Sequence, residues 1–190
     1  MDTVNKEWNI KVVFITFYKF SVTVMHLKIV AFSDSHSDHF DMEKALRKHS
    51  DAKAVIFCGD GHNDITDVCK HHPDKTFYCV KGNCDWCCQF PNLLTVTLGG
   101  KKFLVTHGHI QRVKESLMQL TYLGQQEKAD IVVFGHTHQQ LTVLESNMIL
   151  VNPGSVGYAG QYSTIEIDEK TGSVTVREFP PNKYGTFTVK

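Results

Sequence analysis

The stretch Leu27-Lys28-Ile29-Val30-Ala31-Phe32-Ser33-Asp34-Ser35-His36 decides the fold. A short apolar run with little polar alternation reads as a buried strand. Here it ends directly in a cluster of Ser, Asp and His. The same grammar recurs downstream. Asp41 can cap a helix over Met42–His49, Ala54–Cys58 is a second apolar strand, a helix is expected near Ile65–Lys70, and Thr76–Val80 is a third strand. The order βαβαβ implies parallel strands covered by helices. Such sheets carry their sites at the carboxyl ends of strands. Asp34, Asp60 and Asn83 each come just after one of these strands.

The second half changes character. Leu94–Leu98 and Lys102–Thr106 flank Gly99-Gly100, a hairpin signal. Val113–Lys128 is expected as a helix with Val113, Leu117, Leu120 and Leu123 near one face. Ile131–Phe134, Leu141–Leu144 and Met148–Val151 read as strands, and Thr164–Asp168 pairs with Val174–Phe179 through Lys170-Thr171-Gly172. Pro180-Pro181 ends the pattern, so 181–190 is expected as a loose tail. At the other end, 1–24 mixes polar and aromatic residues without clean periodicity. It reads as an extension ahead of a start at Met25, or, through Ile10–Phe17, as an added edge strand. Residues 25–180 then form one domain, as a chain of 190 residues suggests.

Composition narrows the function. Twenty basic and twenty acidic residues cancel, and no basic stripe marks a nucleic-acid groove. Val12–Val24 is short and broken by Lys19 and Ser21, so it is neither a good signal peptide nor a membrane span. All six cysteines lie between Cys58 and Cys88, where a secreted disulfide framework would spread them out. Reduced thiols in a cytoplasmic setting are the expectation. Cys84-Asp85-Trp86-Cys87-Cys88 suggests a zinc knuckle, but no second pair stands at a recognised spacing. These cysteines are expected as small core or loop residues, with Trp86 near the pocket or at an interface. No pattern encodes an oligomeric state, and a homodimer or higher oligomer is open.

Five segments carry the chemistry: Asp34-Ser35-His36, Gly59-Asp60, Gly82-Asn83-Cys84-Asp85, His107-Gly108-His109 and Gly135-His136-Thr137-His138. Each alone is compatible with an ordinary turn. Together they bring Asp34, His36, Asp60, Asn83, His107, His136 and His138 to strand ends, too many ligands for one ion and suited to two. The i, i+2 spacing of Asp34 and His36, in extended backbone, puts both side chains on one face less than ~7 Å apart at Cα. A carboxylate such as Asp60 can hold two ions ~3.5–4 Å apart. Imidazoles suit Mn, Fe, Ni, Zn or Co rather than Ca. Asn83 is a neutral ligand, so a site with Asp34, Asp60 and a shared hydroxide stays positive and favours a phosphate.

This arrangement resembles the calcineurin-like metallophosphoesterase superfamily, and within it the small bacterial and archaeal phosphodiesterases of the YfcE/MJ-type branch. The resemblance covers roughly Met25 to Phe179, and the Asn152-Pro153-Gly154-Ser155 turn is similar too. It implies an α/β fold, a four-layer α/β/β/α sandwich of two mixed β-sheets. It also implies one divalent ion on Asp34, His36 and His138, another on Asn83, His107 and His136, and Asp60 as the bridge. Mn is the first expectation, with Ni, Fe, Co or Zn as alternatives. The reaction implied is hydrolysis of a small phosphorylated substrate, a phosphodiester first, by a hydroxide shared between the ions. Monoester or nucleotide-pyrophosphate hydrolysis is the alternative within that class. Asp60, Asn83 and His109 would act in catalysis, and Asn83, His109 and Cys84 would meet substrate. Many members have His where Cys84 stands, and that His helps protonate the leaving group. A thiol beside two cations is a poor acid, so activated aryl diesters should be favoured. A different class of function, a weakly active or inactive scaffold like the retromer subunit of the same fold, is the competing expectation.

Overall fold

The structure is a computed structural model and describes residues 26–180 and 186–189. The expectations for 1–24 and for Met25 lie outside the described residues.

Alternation within buried strands builds the layers. Strand β1 (His26–Phe32) sends Ile29 and Ala31 to one face and Val30 and Phe32 to the other, and all four are fully buried. Strands β2 (Ala54–Phe57) and β3 (Thr76–Cys79) lie parallel beside it, joined through helices α1 (Phe40–Lys48) and α2 (His62–His71). Met42, Leu46, Ile65 and Val68 from these helices pack on Val30, Phe32, Val55 and Phe57. The second sheet opens with the hairpin of β4 (Leu93–Leu98) and β5 (Lys101–Thr106), to which β6 (Ile131–Val133), β7 (Gln140–Glu145) and β8 (Met148–Pro153) add. Helix α3 (Met118–Gln126) covers it through Leu120, which packs with Leu104, Val132 and Leu150. After a single turn, α4 (Val156–Ala159), the chain returns to the first sheet as β9 (Tyr162–Asp168), β10 (Val174–Phe179) and β11 (Thr186–Val189).

The orders β11-β10-β9-β1-β2-β3 and β4-β5-β6-β8-β7 mix parallel and antiparallel pairs. Ile29, Ala31 and Ile56 of the first sheet meet Phe103, Val105, Ile131 and Val151 of the second in one apolar layer. The result is the expected four-layer α/β/β/α sandwich.

Several local expectations are corrected. The 181–190 tail is not loose throughout, because Thr186–Val189 pairs antiparallel with Val174–Arg177 and sets Phe187 and Val189 against the inter-sheet layer. Asp41 does not cap α1. It sits inside the first turn, where its charge suits the helix dipole, while Asp38 Oδ1 accepts from the Phe40 N–H at 3.0 Å. Helix α3 starts at Met118 rather than Val113, with 111–115 running in turns ahead of it, although Val113, Leu117, Leu120 and Leu123 do share one apolar cluster. Trp86 is 81% exposed, so it packs in no core, which leaves the interface as the open alternative.

Candidate metal centre

Parallel strands end on one side of a sheet, so the loops after β1, β2 and β3 share an edge, as do those after β5 and β6. Hydrogen bonds between the sheets bring the two edges together. The His136 N–H donates to Asp34 Oδ2 at 3.0 Å, and His107 Nδ1 donates to the Cys58 carbonyl at 2.7 Å.

All seven sequence-identified ligands converge, in two nests. In the first, Asp34 Oδ1 lies 3.1 Å from His138 Nε2 and 3.7 Å from His36 Nε2, and the two imidazole nitrogens are 3.3 Å apart. In the second, His107 Nε2 lies 3.3 Å from Asp60 Oδ2, 3.1 Å from Asn83 Oδ1 and 3.1 Å from His136 Nδ1. Donor atoms of Asp34, His36 and His138 all lie within 4.8 Å of one another, as do those of Asp60, His107 and His136. Asp60 also comes within that distance of His36, so its carboxylate reaches toward both nests.

The donor chemistry fits a cation in each. A carbonyl only accepts, so His107 donates to Cys58 from Nδ1 and turns Nε2 toward the second nest. Burial opposes a second proton, but Asp60 and Asp34 raise His107 above its ordinary value and favour a proton on Nε2 that a bound ion would displace. Asp34 is fully buried, its Oδ2 takes bonds from Ser33 Oγ at 2.5 Å and from His136, and its Oδ1 is buried with no hydrogen-bond partner. A buried carboxylate oxygen left bare toward two imidazoles is where a metal ion belongs.

Electrostatics support the same roles. Burial opposes the charge of Asp60, but His107 and the Cys84 N–H outweigh it and hold the carboxyl well below its usual range. His136 is pushed down to about 4 by burial and by His107 and Lys114, which leaves it neutral as a ligand must be. Burial and His107 also lower His109, whose ring stands against those of His107 and His136 and whose buried Nδ1 has no partner. His109 belongs to neither nest and stands beside the second, against the rings of His107 and His136. Cys84 is exposed, and its thiol is pushed up by burial of the sulfur's inner side and by the carboxylates of Asp60, Asp85 and Asp34.

The backbone corrects one argument. Asp34 and His36 are not extended. They sit at φ 56° and 46°, and Asp60, His136 and His138 are at 60°, 70° and 60°. The side chains of Asp34 and His36 meet because the chain coils left-handed there. The turns are tight enough that a Cβ on Gly82 would come within 2.0 Å of Asp60 Oδ1, which is why glycine precedes Asn83.

Sequence reasoning missed the braces. The two oxygens of Asp85 accept from the N–H groups of Asp60, Gly61, His62 and Gly82, tying the Asp60 and Asn83 loops together. Asp64 Oδ2 accepts from Ser35 Oγ at 2.6 Å and the Ser37 N–H at 2.9 Å, and so holds the Asp34–His36 loop. Ser155 caps α4 and donates to the Asp34 carbonyl at 2.8 Å. Tyr158 stacks on the His138 ring at 5.3 Å and lies 5.2 Å from that of His36. Asn152-Pro153-Gly154-Ser155 was the one local signal for the last two.

A buried two-sheet sandwich with imidazole, carboxylate and amide donors gathered at converging strand ends defines a metallophosphoesterase fold. The chain belongs to that family: residues 27–170 match the Calcineurin-like phosphoesterase superfamily domain. Among its relatives is the probable metallophosphoesterase YsnB of Bacillus subtilis, 30% identical over 131 residues, which span 68% of this chain and 75% of that protein. Phosphodiesterase MJ0936 of Methanocaldococcus jannaschii is 26% identical over 158 residues, 74% of this chain and 92% of its own length. Vacuolar protein sorting-associated protein 29 of Schizosaccharomyces pombe is 36% identical over 91 residues, 48% of this chain and 49% of that one. Among the described residues no helix is long and apolar enough to cross a membrane.

Proposed function

We propose that this protein is a metal-dependent phosphodiesterase. The reading rests on one observation: two clusters of metal-ligating side chains, Asp34–His36–His138 and Asp60–His107–His136, lie on either side of Asp60, which also reaches His36. Asp34, His36 and His138 would hold one divalent ion, and Asn83, His107 and His136 the other, with Mn first and Ni, Fe, Co or Zn as alternatives. Bound there, the ions would polarise a phosphoryl oxygen and supply hydroxide near neutral pH.

The chain's own residues do the rest. Asn83 leaves the centre short of negative charge, so an anionic phosphate is attracted. His109 offers a neutral ring to a phosphoryl oxygen, or a proton, from beside His107 and His136. No imidazole stands at position 84 to protonate a departing alkoxide, which favours leaving groups that need no acid. Exposed Phe40, Trp86, Ile110 and Tyr158 on the loops and short elements at this edge suit an apolar or aromatic leaving group. Phosphomonoester and nucleotide pyrophosphate substrates are second choices. Six free thiols support a reducing, cytoplasmic setting.

The test is a screen of aryl phosphodiesters, monoesters and nucleotides after chelator stripping and reloading with each ion. Turnover of an aryl diester that needs reloading and disappears in Asp60→Asn is expected. A scaffold reading is favoured by a separate feature, an apolar groove of 580 Å³ between α3 and β7–β8 where Met118 and Tyr122 are exposed. No turnover with any ion would decide for it.

A further inference from the structure

A third donor group lies between the two nests. The Cys84 sulfur, a ring nitrogen of His36 and a carboxylate oxygen of Asp60 all lie within 4.8 Å of one another. His36 is shared with the first nest and Asp60 with the second, so this thiol stands at the junction of the proposed ions. Its loop is fixed there: the Cys84 N–H donates to Asp60 Oδ1 at 2.7 Å, and Asn83 Nδ2 donates to the sulfur at 3.2 Å. A second observation points to a cation on the same side. Asp34 Oδ1, fully buried and without a hydrogen bond, is turned toward His36 and His138. Of the six cysteines only Cys84 enters a donor group, although Cys87 and Cys88 share its loop.

We propose that Cys84 is a sulfur ligand to an ion it would share with His36 and Asp60, where the two nests meet. The centre thereby gains a soft donor, which shifts its preference toward Zn(II), Co(II) or Fe(II) relative to the same centre without sulfur. The assignment rests on the metal-centre reading and sharpens it. In the binding step the S–H bond breaks, the proton leaves to solvent and the sulfur lone pair bonds the ion, with no change in oxidation state. Metal binding deprotonates a coordinating thiol outright, and thiolates prefer borderline and soft ions. A sulfur so engaged has no proton for a leaving group, in keeping with the substrate preference proposed above.

The experiment is anaerobic Co(II) titration of the chelator-stripped full chain, followed by absorption. Visible d–d bands report the centre, and a near-ultraviolet charge-transfer band reports sulfur on cobalt. The wild type should show both. Cys84→Ser should keep the visible bands and lose the charge-transfer band, while Cys87→Ser keeps both. In competition, the preference of Cys84→Ser for Zn over Mn should fall ~10-fold or more, since even partners behind the ligands carry that much affinity. X-ray absorption of the zinc-loaded wild type supplies a readout independent of any variant, with sulfur expected at ~2.3 Å. Visible bands without a charge-transfer band, a band that survives Cys84→Ser, or no zinc–sulfur scattering overturns the sulfur assignment and leaves the centre standing. Failure to bind cobalt or zinc at all overturns both.

Discussion

Asp85→Asn isolates the brace that holds the second nest in shape. The native carboxylate is 2% exposed and accepts from four backbone donors, Asp60, Gly61, His62 and Gly82, at 2.8, 2.8, 2.9 and 2.8 Å. A side-chain amide keeps the size but has one acceptor oxygen, with room for two of those donors. Its NH₂ group faces the other two and repels them. Hydrogen bonds to a charged acceptor are worth about 1.5–3 kcal/mol each, so losing two costs about 3–6 kcal/mol. Loop relaxation recovers part, and a destabilisation of about 3 kcal/mol is expected. The Asp60 and Asn83 loops then drift apart, and metal affinity should fall ~10–100-fold.

The pH dependence separates this account from simple misfolding. Burial alone would raise the Asp85 carboxyl, but the four N–H groups outweigh it and hold the group below its ordinary value. A depressed carboxyl contributes stability above the unfolded value of about 3.9 and loses it as pH falls through the folded value. Urea denaturation of the metal-free protein should therefore show a gap between wild type and Asp85→Asn that is widest near neutrality and closes in acid. The control is Asp51→Asn, which breaks an exposed pair with Lys28 and should cost less than about 1 kcal/mol. A gap no larger than the control's, or one that does not close in acid, refutes the brace.

Three further outcomes are expected. Asp60→Asn should abolish turnover and lower occupancy at both nests, while His107→Ala should chiefly empty the second, both measured by elemental analysis after dialysis. Glu43 meets His71 at 2.9 Å and His72 at 3.0 Å; burial opposes its charge, but the two imidazoles hold its carboxyl below the ordinary range. Its contribution is present above the unfolded value of about 4.3 and is lost as pH falls through the lower folded value. Glu43→Gln should thus cost about 0.5–1 kcal/mol, with the gap to wild type closing in denaturation curves as pH falls below about 4.3. His138 at φ 60° predicts an inverted order of variants, with His138→Gly more stable than His138→Ala by about 1 kcal/mol in thermal melts without metal.

What the sequence disclosed was local. Each ligand is announced by an apolar run and a small residue beside it, so the seven could be found one motif at a time. What it concealed depends on partners far along the chain. Nothing in Asp85 or Asp64 says that their acceptors will meet N–H groups of another loop, because those groups converge only once β1, β2 and β3 lie side by side. The place of β9 beside β1, joining the end of the chain to its first described strand, is equally nonlocal. Strand β11 was hidden for a related reason. Thr186-Phe187-Thr188-Val189 alternates as an edge strand should, but a four-residue strand is stable only against β10, and the prolines before it read as a stop.

The left-handed backbone at Asp34, His36, Asp60, His136 and His138 links these observations. Each such residue costs on the order of 1 kcal/mol or more, so the five together oppose folding by about 5 kcal/mol, comparable to the net stability of many domains. The strain is borne because strands buried on both faces, with Asp64, Asp85, Asn152 and Ser155 bonded into the turns, leave the loops no easier path. What the molecule gains is convergence: coiling left-handed aims successive side chains inward, where an extended turn would send some of them to solvent. Docking another protein on the far groove would need none of it. A centre that gathers cations needs all of it, because donors from five separate loops must be brought within reach of the ions.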